Sequence, residues 1–517
     1  MSELPLVGQT GTQRDRSSWP SLADRRWRYA TFCAIYLYQG LVAGFSLTAL
    51  ANYYAGQGVS ATEVGLHFAL AGLPWTVQPI LWGPLVDRAG PGRRRVWAVA
   101  AILGSHCALC GLLLVPDARS LGLVGLVLFL HSLFAALLDT ACDRMIMDHV
   151  PTGELGRTSA GTRIGFVAGT STGAALFAWT LPVWGFADSV GLLMGLAIAA
   201  TILPLLVRER PGDPLFPTTP RADMPSGRPL PFRRFMKRLV LGLRRPEALR
   251  LLLLCFGIDF VLALFEVRFA VDLVQAQGWD PVFLSRLQAG LALAAGTLGA
   301  LAIGIWSDRA GPLPALNALF VASGAAFILA SLMIAAGGTG VAGPVVLGLT
   351  SVLPSLLIVA LVPALMQASR NRPGAATQFE VYMATMNLGS VTGAAASGSS
   401  GRVIPLTLVG LLVALAFAAS AALARRPDLV FHGARALRRP VARPQKHHDA
   451  EIPDLDDGQR DIEQTGGRVP REPVQAREDE DRNSDERNQS DQHEERLVGR
   501  QQRHDGLGPT RNREDLV

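Results

Sequence analysis

Cysteine is scarce in this sequence, with five among 517 residues. All five lie inside apolar runs, so a disulfide framework of the kind found in small secreted proteins is not expected. Cys107 and Cys110 have the spacing of a redox or metal pair, but a zinc site needs more ligands and an aqueous setting. We therefore interpret the cysteines as small residues that pack between helices, and we expect neither a metal nor a cofactor.

Charged residues are also few, at 17% of the chain, while 49% of the residues are hydrophobic and occur in long blocks. A bilayer core of about 30 Å requires about 20 apolar residues in a helix that crosses it. Twelve runs meet this requirement, at residues 28–50, 62–86, 96–115, 120–143, 159–181, 187–207, 249–273, 283–307, 314–336, 341–367, 375–399 and 403–424. The sequence therefore predicts an all-α integral membrane protein with twelve transmembrane helices.

Motifs for nucleotide-driven or enzymatic chemistry are missing. The chain has no G-x-x-x-x-G-K-[ST] loop, so an ATP-driven pump is disfavoured. No nucleophile with a neighbouring base and no metal cluster stands out, so we predict that the protein is not an enzyme. A membrane sensor, or an enzyme on a transporter scaffold, stays open as an alternative of a different class.

The last part of the chain lacks the residues that build a core. No aromatic residue follows Phe431, and such a polar, charged segment cannot bury enough apolar surface to fold. We expect residues 426–517 to be a disordered cytoplasmic tail and 1–26 a cytoplasmic arm. Residues 208–246 are rich in Pro and Arg, which is typical of a linker. The two membrane parts are then 27–207 and 247–425.

The net charge of +6 is placed unevenly. Basic residues concentrate in alternate loops, namely at Arg25, Arg26, Arg28, Arg88, Arg93 to Arg95, Arg157, Arg208 to Arg245, Arg370 and Arg372. Because such residues are retained on the cytoplasmic side, both termini are predicted to be cytoplasmic. No cleavable signal peptide is visible. The excess of basic over acidic residues is explained by the orientation of the protein in the membrane, so no nucleic-acid partner is expected.

Two loops repeat one charged motif. The five residues from Asp87 to Pro91 return letter for letter from Asp308 to Pro312, at an offset of 308 minus 87, or 221 residues. A glycine precedes each aspartate by four positions. A repeat of this length, placed after the second long run of each half, is typical of a duplicated membrane transporter.

The first loop resembles the signature of the major facilitator superfamily, roughly G-x-x-x-D-R-x-G-R-[RK]. The resemblance implies two pseudo-symmetric six-helix bundles and a secondary active transporter. The chain departs from the signature where Pro91 and Gly92 displace the basic cluster, and where the second copy has Pro312 and Pro314 instead of basic residues. We therefore expect the first loop to be the stronger conformational switch.

A longer resemblance points to one subgroup. The sequence resembles the muropeptide permeases, siderophore-uptake permeases and acetyl-coenzyme A transporters. The similar segments are Tyr36 to Gly90, Ala376 to Phe379 and Asn387 to Gly389. It implies a monomeric, proton-coupled importer of a siderophore-like or muropeptide-like solute. Such an importer would work by alternating access in the lipid bilayer of the bacterial inner membrane. Efflux of drugs or metabolites is the alternative within transport.

Ionisable residues inside the runs are the candidates for substrate contact or proton coupling, because burying them is costly. Asp259 and His131 lie about halfway along their runs, and Glu266 follows Asp259 by two turns on the same stripe. For His131 a structural hydrogen bond is the favoured interpretation. Gln39 in the first run either faces a cavity or bonds a neighbouring helix.

The conformational switch is predicted at the charged loops. We expect Asp87 to cap the start of the eleventh helix near Pro373 to Thr377, where free N–H groups and the positive dipole end favour a carboxylate. By the repeat, Asp308 should meet the fifth helix near Thr158 and Ser159, more weakly. The other switch candidates are the flanking basic residues Arg88, Arg93, Arg94 and Arg309, which are expected to pair and to hold the loops at the membrane surface.

A second charged group, which also belongs to the predicted conformational switch, lies near the cytoplasmic end. Asp139 and Asp143 are four residues apart on one helical face, and Arg163 enters the next helix at similar depth, so a salt-bridge cluster is expected. Glu380 falls in the first turns of the eleventh helix, where its charge suits the helix dipole.

Small residues form two stripes at a spacing of four, which lets another helix approach to backbone contact. The fifth run carries Gly161, Gly165, Gly169 and Gly173, and the eleventh carries Gly389 and Gly393. In the superfamily these helices pack across the interface between halves, so the stripes are expected to form a seam along which the halves move. Tight packing without movement is the alternative.

Overall fold

The computed structural model describes residues 19–57, 59, 61–88, 94–115, 119–215, 231–370, 372, 374–400 and 404–425. The predicted tail at 426–517, most of the arm and Arg93 lie outside these residues.

The described chain is almost entirely helical. Its α-helices are α1 (Arg25–Ala43), α2 (Leu50–Gly56), α3 (Ala61–Arg88), α4 (Arg94–Cys110), α5 (Leu121–His149), α6 (Leu155–Trp184), α7 (Phe186–Leu206), α8 (Phe232–Leu243), α9 (Pro246–Gln275), α10 (Pro281–Leu291), α11 (Thr297–Ala310), α12 (Pro312–Ser369), α13 (Ala375–Ser400) and α14 (Leu406–Arg425). The π-helical turns Gly44–Ala49 and Ala292–Gly296 join α1 to α2 and α10 to α11.

Each of the twelve predicted runs lies on this helical framework. The ninth and tenth runs share α12, which breaks at Gly338, where the backbone (φ 72°, ψ 176°) is left-handed and favours a residue without Cβ. Within the described residues, nine helices are long and apolar enough to cross a membrane by length and composition, α12 being counted once. α3 and α13 are not among them, and both carry polar residues toward the boundary between the two halves.

The two halves repeat one packing arrangement. α1 packs along α6 in the first half, and α9 packs along α13 in the second. Across the boundary, α3 contacts α13 and α6 contacts α11. All four boundary helices are close at one end of the bundle, where α3 and α11 finish and α6 and α13 begin. We refer to this end as the loop end.

The glycine stripes lie inside each half, so the expected seam between halves is wrong. A Cβ at Gly165 would lie 2.4 Å from Cys33 O, and one at Gly169 would lie 2.2 Å from Leu37 O, both on α1. Gly173 meets Leu41 O of the same helix in the same way, whereas Gly161 has open space around it. The stripe therefore holds α6 against α1 through direct backbone contact.

The second stripe repeats this arrangement. A Cβ at Gly389 would lie 2.4 Å from Phe256 O, and one at Gly393 would lie 2.2 Å from Phe260 O, both on α9. The spacing of the glycines predicted a close helix contact, but it carried no information about which helix would be the neighbour.

Candidate functional site

Asp87 lies in the last turn of α3 and caps α13. Its Oδ1 accepts a hydrogen bond from Ala376 N at 3.0 Å, and its Oδ2 accepts from Thr377 N at 2.8 Å and from Thr377 Oγ1 at 2.7 Å. The Asp87 side chain is only 3% exposed, and Arg144 of α5 lies 3.4 Å from Oδ1. These are the first N–H groups of α13, which have no partner inside the helix. The contact expected from the sequence is present, and it joins the two halves.

Asp308 makes the equivalent contact in the repeat. Its Oδ1 accepts from Gly156 N at 2.7 Å, and its Oδ2 accepts from Arg157 N at 3.1 Å and from Arg157 Nε at 2.6 Å. The prediction placed this contact near Thr158 and Ser159, two residues too late, because α6 begins at Leu155. The expectation of a weaker contact also overlooked Arg157, which supplies the positive charge that the second loop itself lacks.

Arg94 of the first loop points inward, whereas Arg88 lies on the surface. Arg94 is 2% exposed and donates to Val86 O, and its Nε lies 3.4 Å from Asp148. Arg88 is exposed and stacks over the Phe232 ring at 5.9 Å. In the second loop Arg309 is exposed as well. Arg94 therefore ties the end of α3 to α5 behind Asp87.

Glycines allow the halves to meet at these contacts. A Cβ at Gly156 would lie 2.3 Å from Gly304 O, and one at Gly83 would lie 2.8 Å from Thr377 Cα. Gly83 and Gly304 each precede the loop aspartate by four residues, so they occupy the same helix face one turn away. Sequence reasoning recorded both glycines in the repeat but missed their role, which the shared spacing could have indicated.

A cavity of about 250 Å³ lies between the halves, on the inner side of these contacts. The first half contributes α1, α3, α5 and α6, and the second contributes α12 and α13. Its lining consists of Tyr36, Gln39, Trp75, Gln78, Asp139, Asp143, Ile146, Ser159, Thr162, Arg163, Phe166, Ile358, Val362, Met366, Phe379, Glu380, Met383, Ala384 and Asn387. Gln39 therefore faces a cavity, one of its two expected placements.

The loop-end contacts lie to one side of this cavity. Gly83 and Asp87 lie beyond Gln78 on α3, and Thr377 precedes Glu380 on α13. Gly156 likewise precedes Ser159 on α6. A further bond, from Arg370 Nη2 to Val150 O at 2.7 Å, joins the halves at the same end. These contacts join the two halves between the cavity and the loop end.

Three carboxylates meet in the wall of the cavity. Asp139 and Asp143 come from α5, Glu380 comes from α13, and one oxygen of each lies within 4.8 Å of the others. Gln78 Nε2 lies 3.2 Å from Asp139 Oδ2 and 2.9 Å from Glu380 Oε2, and the Tyr36 hydroxyl donates to Asp143 Oδ1 at 2.9 Å. The prediction that Glu380 serves its own helix dipole is therefore incomplete, because it is buried against the other half.

Arg163 does not form the predicted salt bridge with Asp139 and Asp143. Its Nε donates to Ser355 Oγ at 3.1 Å across the boundary, and its guanidinium lies over the Phe166 ring at 5.9 Å. Similar depth along two neighbouring helices was not enough to bring the groups together, since Arg163 and the aspartates approach the cavity from different walls.

His131 lies outside the cavity. Its Nε2 is 3.1 Å from the Tyr38 hydroxyl, which also donates to Ser105 Oγ at 2.8 Å. The histidine is 5% exposed and is enclosed by helices of the first half. This is the structural hydrogen bond that the sequence favoured for it.

Asp259 and Glu266 lie on α9 and do not line the cavity. Asp259 Oδ2 and Glu266 Oε1 are buried without a hydrogen-bond partner among the described residues. Buried carboxylate oxygens without partners are costly, so their retention calls for a function or a bound group.

The sequence pattern of the Major Facilitator Superfamily matches residues 30–394, well over half of the chain. The chain belongs to this superfamily. As a member it is a multi-pass membrane protein and a secondary transporter of a small solute, not an enzyme.

Solved transporters share its fold. FucP in the outward conformation is similar at a TM-score of 0.57 and 14% identity, with 77% of this chain and 98% of FucP covered. A second FucP structure, of the E. coli fucose:proton symporter, has a TM-score of 0.58 and 13% identity at the same coverage. The human organic anion transporter MFSD10 (TETRAN) has a TM-score of 0.55 and 15% identity over 77% of this chain and 98% of its own. At these identities the likeness concerns the fold alone.

Proposed function

We propose that this transporter imports a siderophore-like or muropeptide-like solute by alternating access, driven by protons. The observation that carries the proposal is the cavity shared by both halves, with Asp87 and Asp308 closing it at the loop end. Each aspartate caps a helix of the opposite half, so both caps must break before the loop end can open.

The loop end is the cytoplasmic end in this proposal. Arg88 ends α3, Arg94 and Arg95 begin α4, and Arg157 lies in the first turn of α6. The basic residues therefore gather at this end, as expected for a cytoplasmic face. The described arrangement then keeps the cytoplasmic side shut and corresponds to an outward-facing state. Opening the loop end would release the solute into the cytoplasm of a bacterial cell.

The solute class rests on the subgroup resemblance and agrees with the lining of the cavity. Four aromatic rings, those of Tyr36, Trp75, Phe166 and Phe379, surround polar and charged groups of both signs. Such a lining suits a solute with apolar surface and several polar groups, because a few placed polar contacts fix its orientation. Gln39 and Arg163 are the side chains that we expect to contact it.

Proton coupling is assigned to Asp259 and Glu266. Both carboxylates are buried on one stripe of α9, and each has an oxygen without a hydrogen-bond partner in the described part of the chain. A buried acid can change its protonation when a moving cavity brings water to it. Because α9 would move together with the second half when the loop end opens, release of the proton would be linked to release of the solute.

Purified protein in liposomes tests the proposal. An inward proton gradient should drive accumulation of a labelled muropeptide or ferric siderophore, and a protonophore should abolish it. Extrusion of the solute against the gradient would favour efflux instead. Deletion-strain growth on each iron chelate and cell-wall fragment would then identify the solute.

A further inference from the structure

The three carboxylates in the cavity wall come from both halves of the protein. Asp139 and Asp143 belong to α5, and Glu380 belongs to α13, which Asp87 caps one turn earlier. Asp143 is 4% exposed and Glu380 is 2% exposed. Three like charges this close in a poorly solvated site repel one another strongly unless something compensates them.

Neutral donors supply only part of that compensation. Gln78 and Tyr36 donate to the cluster, but among the described residues none of the three carboxylates forms an ion pair with arginine, lysine or histidine. Arg144, on the same helix, is turned toward Asp87 and Asp148 instead. The site therefore has acceptor oxygens in excess of its donors.

Two buried polar groups at the cavity are without partners. Glu380 Oε1 makes no hydrogen bond, although Oε2 of the same carboxylate is bonded to Gln78. Gln39, which is 6% exposed and lines the same cavity from α1, has an amide nitrogen without a hydrogen-bond partner. Its carboxamide can present either its oxygen or its N–H groups to a ligand. Buried polar groups in native proteins are normally satisfied. The free oxygen of Glu380 therefore indicates an occupant that carries a positive charge or a donor, and Gln39 can join its binding with the carboxamide oxygen.

We propose that Asp139, Asp143 and Glu380 bind one compact cation, which joins the two halves at the loop end of the cavity. Oxygen atoms within 4.8 Å of one another can all contact a hard metal ion at about 2.3 to 2.6 Å, or an ammonium group at hydrogen-bond distance. The cation is either a free metal ion or the ammonium group of the transported solute. The inference goes beyond the proposed function and does not depend on the direction of transport.

This site is complete only while the loop end is closed, because Glu380 moves with the second half. A bound cation therefore stabilises the closed arrangement, and opening the loop end lowers its affinity by the same factor. The carboxylate cluster would in this way make release of the cation part of the same step as opening.

Thermal unfolding of the purified full-length transporter in detergent tests the proposal. The protein is held in choline chloride, whose cation is too large for the site, and is titrated separately with NaCl, CaCl₂ and ethylammonium chloride at constant ionic strength. A cation that binds the folded protein raises the Tm with the logarithm of its concentration above Kd. The same titrations are made on Glu380→Gln, Asp143→Asn and Asp139→Asn. Asp188→Asn, which removes one exposed carboxylate on α7, is the matched control.

A rise in the Tm with sodium or calcium identifies a free metal ion as the ligand. A rise in the Tm with ethylammonium alone identifies the ammonium group of a solute. In either case we expect each cluster variant to weaken the apparent affinity by about ten- to a hundredfold, the range for losing a hydrogen bond to a charged group, and the control to retain it. The three separate variants keep the test decisive when one of them is not recovered in folded form. The proposal would be overturned if none of the three cations raised the Tm, or if the cluster variants showed the same rise as the unchanged protein. Protons shared among the three carboxylates would then be what reduces their mutual repulsion. These readouts measure binding, so they are independent of any failure to transport the proposed solutes.

Discussion

Asp87 and Thr377 are 290 positions apart in the chain and meet at the loop end, where Asp87 Oδ2 accepts hydrogen bonds from both the N–H and the hydroxyl of Thr377. A carboxylate at the first turn of a helix is stabilised by the helix dipole as well as by these bonds. At the other boundary Asp308 accepts hydrogen bonds from the backbone N–H groups of Gly156 and Arg157 and from the Arg157 side chain. The closed loop end is thus held by two helix caps that the internal repeat places symmetrically.

We predict that Asp87→Asn opens the loop end. Asparagine keeps an acceptor oxygen but loses the charge that faces the α13 dipole and Arg144. The loss of about 1 to 2 kcal/mol corresponds to a shift of about 5- to 30-fold toward the loop-open state. Transport should fall far more than solute binding. Labelling of a reporter cysteine, Ser159→Cys in a background without the five native cysteines, should become faster from the loop side.

Asp280→Asn is the matched control for that experiment. Asp280 caps α10 through a 2.6 Å bond from Phe283 N, but this cap lies within one half. Its substitution should leave the labelling rate unchanged. Normal transport and normal labelling in Asp87→Asn would remove the switch role from this residue.

Gly165→Leu should destabilise the first half and block transport. Its side chain would begin 2.4 Å from Cys33 O, which is backbone and cannot give way without separating α6 from α1. Overpacking of this kind costs about 1 to 3 kcal/mol or more. Gly161→Leu on the same helix has no neighbouring atom within 4 Å of the added Cβ and should be tolerated. Thermal unfolding and uptake measured on both variants check the prediction, which similar losses in the two would contradict.

Asp259→Asn should abolish proton-coupled accumulation while leaving membrane insertion and solute exchange intact. The amide cannot release a proton, although it keeps nearly the same shape. Glu247→Gln, in the first turn of the same helix, is the control and should accumulate solute normally. The measurement is uptake into liposomes with and without a pH gradient. If Asp259→Asn accumulates solute like the unchanged protein at every pH, Asp259 takes no part in coupling.

Glu209 should make stability depend on acid pH. Burial opposes its charge, but hydrogen bonds from His149 at 3.0 Å and from Arg95 N at 3.2 Å outweigh this effect and hold the pKa of Glu209 below its usual value. A carboxyl group whose pKa is lower in the folded state stabilises the protein at pH above its unfolded pKa, about 4.3. That stabilisation is lost as the pH falls through the folded pKa.

Glu209→Gln should therefore lower the Tm at neutral pH, and the difference from the unchanged protein should shrink below about pH 4. Unfolding followed by intrinsic fluorescence between pH 3.5 and 7, chosen as experimental conditions around that value, checks this. Asp213→Asn, in the same segment after α7, gives the comparison for a charge change nearby. A Tm difference that stays constant with pH would show that Glu209 acts through its shape alone.

The contacts among the charged groups of the cavity were predicted only in part from the sequence. The aspartates at 139 and 143 were recognised as a pair because residues four apart share a helix face. Their partner was predicted to be Arg163 from its depth alone, whereas the structure brings Glu380 to them and turns Arg163 to Ser355. Depth along a helix can be read from sequence, but the direction in which a side chain points depends on how that helix is rotated against its neighbours.

The sequence by itself determined the twelve runs and the repeat of Asp87 in Asp308, because apolar length and an exact repeat can be recognised in the chain directly. It also offered the unpaired N–H groups at the start of α13 as a target for Asp87, but that target is 290 positions away and only folding brings the two together. Only the tertiary structure decided that the glycine stripes face α1 and α9 within each half and that Gln78 reaches Glu380, 302 positions away. In a bilayer the helices gain little hydrophobic energy by choosing one neighbour over another, so partner choice depends on the fit of their surfaces. That fit involves all the helices together and is not encoded in any one stretch of the chain.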